Sequence, residues 1–313
     1  MKSTILTITM NPSIDKSTSI DCLIAEKKLK CIEPKSEPGG GGINVSRVIK
    51  RLGNNSIAAY LSGGGNGELL TKLLLKENIE TKTVSCLNNT RENLNVFDQK
   101  NKLQYRFIMP GAEIYEKEWK ALISEIEQLS NIEYIVCSGS IPIGVPDNIW
   151  RTISSIVKNK KIKLIVDTSG NPLKEILKDS IYLLKPNINE LSSVVGKEKL
   201  NTNDAILLGK SFVSKGNCEI MVISLGEEGA ILIEKESVHK IIPPSIIRTS
   251  TVGAGDSMVG GIASKIADNK SILEAVKYGV ACGSAATLNQ GTALCNKADA
   301  DRLFLRISTK EIV

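Results

Sequence analysis

Gly42-Ile-Asn-Val-Ser-Arg-Val-Ile-Lys-Arg-Leu-Gly53, followed closely by Ser56-Ile-Ala-Ala-Tyr-Leu61, sets the class of fold. In the first stretch Ile43, Val45, Val48, Ile49 and Leu52 recur at helical spacing, and Gly53 stands where a C-terminal cap belongs. The second is a short apolar run and reads as a strand. Upstream, Ile5 to Thr9 alternates within a β-branched run and reads as another strand. A β-α-β unit therefore opens the chain. The rhythm repeats downstream. A glycine-rich turn precedes a helix around Glu68–Lys76, and strands are expected at Tyr134–Cys137 and at Leu164–Val166, ending on Asp167. Two more fall at Tyr182–Leu184, ending on Lys185-Pro186-Asn187, and at Ile220–Ser224, ending on Leu225-Gly226. Such alternation predicts an α/β fold, a mostly parallel sheet with helices on both faces. In that class ligands sit beyond the carboxyl ends of the strands. Asn11 to Asp15, Ser138 to Ser140, Asn187 and Ser224 should then share one rim.

Residues 16–36 and 88–109 break the rhythm. The segment Leu94 to Met109 reads as a strand, a turn at Asp98–Lys102 and a returning strand. Both stretches are expected to form a small β-sheet lid over the rim, hinged at Gly39–Gly42 and at Pro110-Gly111. Residues 1–313 are read as a single domain that includes this lid.

Composition narrows the function. The hydrophobic share is 42% and the charged share 24%, ordinary for a globular protein. Aromatics make up 4%, too few for base-stacking platforms, and the net charge of +6 comes from scattered lysines and arginines. No nucleic-acid partner is expected. No apolar run approaches the roughly 18–20 residues needed to cross a bilayer, and the N-terminus lacks a secretory apolar core. A cytoplasmic location without membrane association is expected. The seven cysteines form no CxxC pair and read as reduced thiols. His239, the sole histidine, lies in the strand-like Val238-His-Lys-Ile-Ile242 and reads as an exposed strand residue. Any general base is therefore expected to be a carboxylate.

Ser250-Thr-Val-Gly-Ala-Gly-Asp256 leads into a segment whose Met258, Val259, Ile262 and Ile266 make an apolar helical face. Asp256 falls in the first turn. The glycines at 253 and 255 let backbone amides converge, and the positive end of the helix favours an anion there. A carboxylate beside an anion hole suits phosphoryl transfer to an alcohol, because the amides stabilise the moving group while the carboxylate takes the hydroxyl proton. A capping aspartate after a glycine-rich turn would look the same. Pro38-Gly-Gly-Gly-Gly42-Ile-Asn44 suggests close backbone approach to a ligand, or a flexible hinge. Leu184-Lys-Pro-Asn187-Ile-Asn-Glu190 places an amide and a carboxylate one turn apart, suited to magnesium-bound water and phosphate oxygens, or simply to capping a helix. Gly283-Ser-Ala-Ala286-Thr-Leu-Asn289-Gln-Gly291 offers carbonyls for a monovalent cation. Gly209-Lys210-Ser211 mimics the end of a P-loop, but Asp204 occupies the place of its first glycine.

In this order and spacing, from near residue 5 to near residue 295, the glycine run, the KPNxxE segment and the TVGAGD helix resemble the ribokinase-like (PfkB-type) carbohydrate kinases. The resemblance implies a ribokinase-like, doubly wound α/β sheet with a β-sheet lid. It implies an enzyme that transfers the γ-phosphoryl group of ATP to a phosphosugar, with Mg2+ and K+ as cofactors, working as a homodimer through the lid. Relatives acting on fructose 1-phosphate or tagatose 6-phosphate usually carry a lysine inside the glycine run. Positions 39–42 are all glycine here, which favours fructose 6-phosphate, phosphorylated on its 1-hydroxyl. The alternatives are those two other phosphosugars, or a non-catalytic sugar-phosphate sensor on the same fold.

By resemblance, Asp256 is the catalytic base, and Gly253, Ala254 and Gly255 form the anion hole. Ser13, Asp15, Gly40, Gly41 and Asn44 would hold the sugar, Arg91, Arg106 and Ser140 its phosphate, and Lys28 would reach the site from the lid. Lys185, Asn187, Ser224, Gly226 and Gly229 would bind ATP, with Glu190 organising Mg2+. Ser250, Val252, Ala286, Asn289 and Gly291 would form the K+ loop.

Overall fold

A computed structural model describes residues 4–289 and 293–312. Chain order begins β1 (Thr4–Thr9), β2 (Ser13–Ile20), β3 (Lys35–Gly39), α1 (Gly41–Arg51), β4 (Ser56–Gly63), α2 (Gly64–Lys76) and β5 (Glu80–Cys86). Then come β6 (Arg91–Asp98), β7 (Leu103–Phe107), α3 (Glu116–Gln128), β8 (Ile132–Ser138), α4 (Ile149–Lys160), β9 (Lys163–Asp167) and α5 (Gly170–Ile176). The rest is β10 (Ile181–Leu184), α6 (Ile188–Val194), α7 (Thr202–Ser214), β11 (Cys218–Ser224), β12 (Ala230–Ile233), β13 (Val238–Ile242), α8 (Ala254–Ala267), α9 (Ile272–Thr287), α10 (Lys297–Phe304) and β14 (Ser308–Glu311).

Ten strands form one sheet in the order β14-β13-β12-β11-β10-β9-β8-β1-β4-β5. From β5 to β11 every pairing is parallel, and β12, β13 and β14 close the far edge antiparallel. Strand side chains alternate between faces, so each central strand feeds two cores. Leu6, Ile135, Met221 and Ile231 pack on the side that holds Leu122, Ile149 and Ile206. Ile5, Val136, Val222 and Leu232 pack on the side of α1, α8 and α9, against Val48, Ile262 and Ala281. Covering both faces explains the near-continuous apolar runs of the parallel strands.

The smaller sheet has the order β3-β2-β6-β7. Residues 98–102 make the expected turn between β6 and β7, while 21–34 carry no strand. β2 begins at Ser13, earlier than expected, so the site candidates Ser13 and Asp15 belong to this sheet. β2 and β6 pair in parallel, with Ser13 opposite Arg91 and Asp15 opposite Asn93. Ile14, on the opposite face of β2, is buried with Ile43, Tyr60, Leu70 and Leu74, which anchors the sheet to the larger layer.

Local details depart from expectation in two places. α2 starts at Gly64, not near Glu68: the glycines form its first turn, with Asn89 pressed against Gly64 and Ser62 against Gly67. His239 lies in β13 as expected but is half-buried, because β14 pairs beside it and covers that edge. Gly209-Lys210-Ser211 is mid-helix in α7, and all seven cysteines are free thiols. Among the described residues no helix is long and apolar enough to cross a membrane.

Candidate active site

The four-glycine run closes on the carboxyl ends of β1 and β8. A methyl group on Gly41 would lie 2.5 Å from Ser138 Oγ, and one on Gly42 would lie 2.5 Å from the Ile8 carbonyl. Gly40, at φ +111, bends the chain from β3 into α1. Close packing, as well as any hinge role, therefore demands glycine here. The bend delivers Asn44 to the cleft, where its Nδ2 donates to Asp256 Oδ2 at 2.8 Å. Residues 212 positions apart thus meet in one hydrogen bond, and the glycine run and the GAGD helix become one site.

Asp256 sits half-buried in the first turn of α8. Crowding by protein pushes its carboxyl up to about 6, against the hydrogen bond from Asn44, and Asp167 and Asp15 add to the rise. Gly253 precedes the helix in the left-handed region at φ +71, and among the described residues no side-chain cap hydrogen bond is made at this start. A carboxyl that titrates near neutrality beside uncapped amides can accept a proton while an anion is held next to it.

Lys185 lies beside the same turn: a methyl group on Gly255 would come within 4.0 Å of its Nζ. Its ammonium ion-pairs with Asp167 at 3.0 Å and is buried. Burial alone would lower this lysine, but Asp167 and Glu190 outweigh it and the net shift is upward. It stays charged. Asn187 caps α6 by accepting the Glu190 N–H at 2.8 Å, and Glu190 Oε2 accepts the Asn187 N–H at 2.8 Å. The capping role is therefore present, and Glu190 still lines the cleft with its pKa raised by burial. The cleft measures about 1020 Å³ and runs past Lys185, Asn187, Ser224, Gly226, Gly229, Ala254 and Gly255. Every proposed nucleotide contact lies on it. Asp167, which sequence reading placed only as a strand end, also lines it.

Of the sugar candidates, Asn44 bonds Asp256 and Asp15 lies near enough to raise its carboxyl. Asp15 Oδ1 accepts from Ser13 Oγ at 2.9 Å and from Asn93 Nδ2 at 2.8 Å. Arg91 donates through Nη1 to the Met109 carbonyl at 3.1 Å and through Nη2 to the Asn11 carbonyl at 3.2 Å, while its buried Nε has no partner among the described residues. Burial lowers its pKa. Ser140 Oγ accepts from Asn11 Nδ2 at 2.9 Å. Arg106 pairs with Asn95 across β6 and β7, which puts it on the Arg91 face but about 13 Å further along. Lys28 is exposed in the 21–34 segment, without a hydrogen bond or ion pair among the described residues. Sequence reading missed Asn93 and gave Asn11 no role; only strand register and side-chain contacts single them out.

At the third corner, the Thr249 and Ser250 amides donate to the Thr287 carbonyl, and the Asn289 amide donates to the Ala286 carbonyl. Ser250 Oγ accepts from the Val252 amide at 3.2 Å. Ser250, Val252, Ala286 and Asn289 therefore collect at the carboxyl end of α9, where spare carbonyls and the negative end of the helix suit a cation. Gly291 lies outside the described residues.

The pfkB family carbohydrate kinase profile matches residues 8–299. The chain is 41% identical to ATP-dependent 6-phosphofructokinase isozyme 2 of Escherichia coli (strain K12), over 97% of this chain and 99% of that protein. It is 31% identical to 1-phosphofructokinase of Borreliella burgdorferi, over 98% and 99%. Among solved structures it resembles phosphofructokinase-2 from Escherichia coli in complex with potassium, with a TM-score of 0.93 over 98% of this chain and 99% of that one. The same Escherichia coli enzyme is known in a tetrameric inhibited form.

Proposed function

The chain belongs to the pfkB family of carbohydrate kinases, and we propose that it transfers the γ-phosphoryl group of ATP to the 1-hydroxyl of fructose 6-phosphate, giving fructose 1,6-bisphosphate and ADP. The observation that carries this reading is the Asp256 carboxylate, raised to about 6 and set between an uncapped helix start and the Asp15–Arg91 face. Asp256 takes the hydroxyl proton as the sugar oxygen bonds to the γ-phosphorus and the bond to ADP breaks. The amides following Gly253, with Lys185 beside them, stabilise the charge on the moving group. Arg91 presents a fork to the phosphate already on the sugar, aided by Ser140, with Arg106 and Lys28 closing in from the small sheet as a lid. Asp15 and Asn44 hold sugar hydroxyls where Gly40 and Gly41 let the backbone approach.

ATP would lie along the cleft past Lys185, Asn187, Ser224, Gly226 and Gly229. Glu190 and Asp167 are hard carboxylate donors that fit a Mg2+ ion held through water, which neutralises phosphate charge when bound. The carbonyls at the end of α9 fit K+, which would brace the loop leading into α8. The small sheet exposes Leu103 and Phe107, with Leu23, Ile24, Ile32, Ile108 and Met109 beside it, an apolar set suited to a second subunit. An ADP-release assay over fructose 6-phosphate, tagatose 6-phosphate and fructose 1-phosphate, run in potassium and again in sodium, tests the reading. The largest kcat/KM is expected with fructose 6-phosphate in potassium. Preference for another sugar would reassign the substrate, and no ADP with any of them would reject the kinase reading.

A further inference from the structure

Asp15 can hold a sugar hydroxyl only if its carboxylate is fixed, and the fixing comes from the neighbouring strand. Asn93 is 5% exposed and lies directly opposite Asp15 in the parallel pair of β2 and β6. Its Oδ1 accepts the Met109 amide at 3.1 Å. That bond sets the amide orientation, because the oxygen must face Met109 and the NH2 must then face Asp15. Nδ2 donates to Asp15 Oδ1 at 2.8 Å, the same oxygen that Ser13 engages. Oδ1 is thereby occupied twice and Oδ2 is left for a ligand. Gly39 lies against that oxygen: a methyl group there would fall 2.6 Å from Oδ2, so any side chain would block it.

Met109 is held at both backbone groups, its N–H by Asn93 and its carbonyl by Arg91. It immediately precedes Pro110-Gly111, where the chain leaves the small sheet. Asn93 therefore joins three things: the carboxylate that meets the sugar, the arginine that meets its phosphate, and the exit of the sheet. An aspartate at 93 would set two carboxylates side by side. An alanine would free Asp15 to turn.

We infer that Asn93 is a positioning residue for sugar selectivity, acting through the Asp15 carboxylate and the Met109 backbone; this rests on the reading of Asp15 as a sugar contact. Misplacing such a contact by about an ångström costs on the order of a hundred-fold in rate at saturating contacts, and less where the ligand itself helps to reorder the site.

The test is a double-mutant cycle on the full-length protein, read as kcat/KM for fructose 6-phosphate with the KM for ATP measured alongside. Asn93→Ala is expected to lower kcat/KM for the sugar about ten-fold or more, chiefly through KM, with the KM for ATP within two-fold of the parent. Asp15→Ala is expected to lower it further, and the double variant should lose clearly less than the product of the two single losses, because much of what Asn93 does passes through Asp15 and the rest through Met109. Asn93→Asp keeps the Met109 bond and nearly the same shape, so it serves if the alanine variant does not fold. Relative to the parent at the same pH, its defect should be smaller at pH 6 than at pH 8, since a shared proton restores the bond to Asp15. Fully additive losses, or a sugar KM within two-fold of the parent in both Asn93 variants, would overturn the inference. If Asp15→Ala itself leaves the sugar KM unchanged, the assignment of Asp15 fails instead.

Discussion

Two helices begin on the same rim and treat their first amides in opposite ways. α6 is closed by its own side chains, with Asn187 and Glu190 exchanging hydrogen bonds across the first turn. α8 has no side-chain cap among the described residues; Gly253 turns in at φ +71, and Ala254 and Gly255 line the cleft. The two starts suit different tasks. A capped start holds a carboxylate and an amide in fixed positions and so presents side chains to a ligand. An uncapped start presents the backbone itself, which cannot be mutated away and whose dipole favours an anion. Lys185 lies between the two, with Asp167 and Glu190 on one side and Gly255 on the other.

The sharpest way to separate the two starts is to disable each in turn. Asp256→Asn keeps the shape and an acceptor for Asn44 but removes the base, so kcat should fall by at least about 10²–10⁴-fold while ATP affinity is retained. The same variant should melt a few degrees higher at pH 8. A half-buried carboxyl raised from 3.8 to about 6 opposes folding once the pH exceeds the unfolded value, and the amide removes that opposition. Gly253→Ala places a methyl group in the left-handed region and 2.7 Å from Leu294 Cδ2. Strain of about 1–3 kcal/mol should shift the amide nest and lower kcat roughly ten-fold or more, with thermal stability reduced as well. Asn187→Ala removes a cap and the proposed nucleotide contact, so it should cost about 1 kcal/mol of stability and raise the KM for ATP several-fold with a smaller change in kcat. A larger loss of kcat in Asn187→Ala than in Gly253→Ala would reverse the assignment of roles.

How much of this was legible without coordinates depends on where the signal lies. The parallel layers were, because fully buried strands such as Ile220–Ser224 must be apolar on both faces. So was the GAGD turn, because a left-handed start and a close approach both demand glycine. β14, Ser308-Thr-Lys-Glu311, was not: it is an exposed polar edge strand held by β13, and nothing in its composition announces pairing. Asp167 reads like any other strand-end aspartate until the fold brings Lys185 to 3.0 Å. Asn93 is invisible for a stricter reason, since its partner Asp15 lies 78 positions away and only the β2–β6 register makes them neighbours. Lys28 shows the reverse case, a residue implied by resemblance that the described residues of a single chain leave exposed and unengaged.

As proposed, phosphoryl transfer turns on a carboxylate at position 256 that must be ionised to accept the hydroxyl proton. The direct measurement is kcat/KM for fructose 6-phosphate between pH 5 and pH 8.5, in the parent and in Asp256→Asn. With Asp256 raised to about 6, activity should be full well above that value and fall ten-fold per pH unit below it, and the residual rate of the variant should lack this limb. An acidic limb that survives unchanged in Asp256→Asn, or near-normal turnover in that variant, would contradict it.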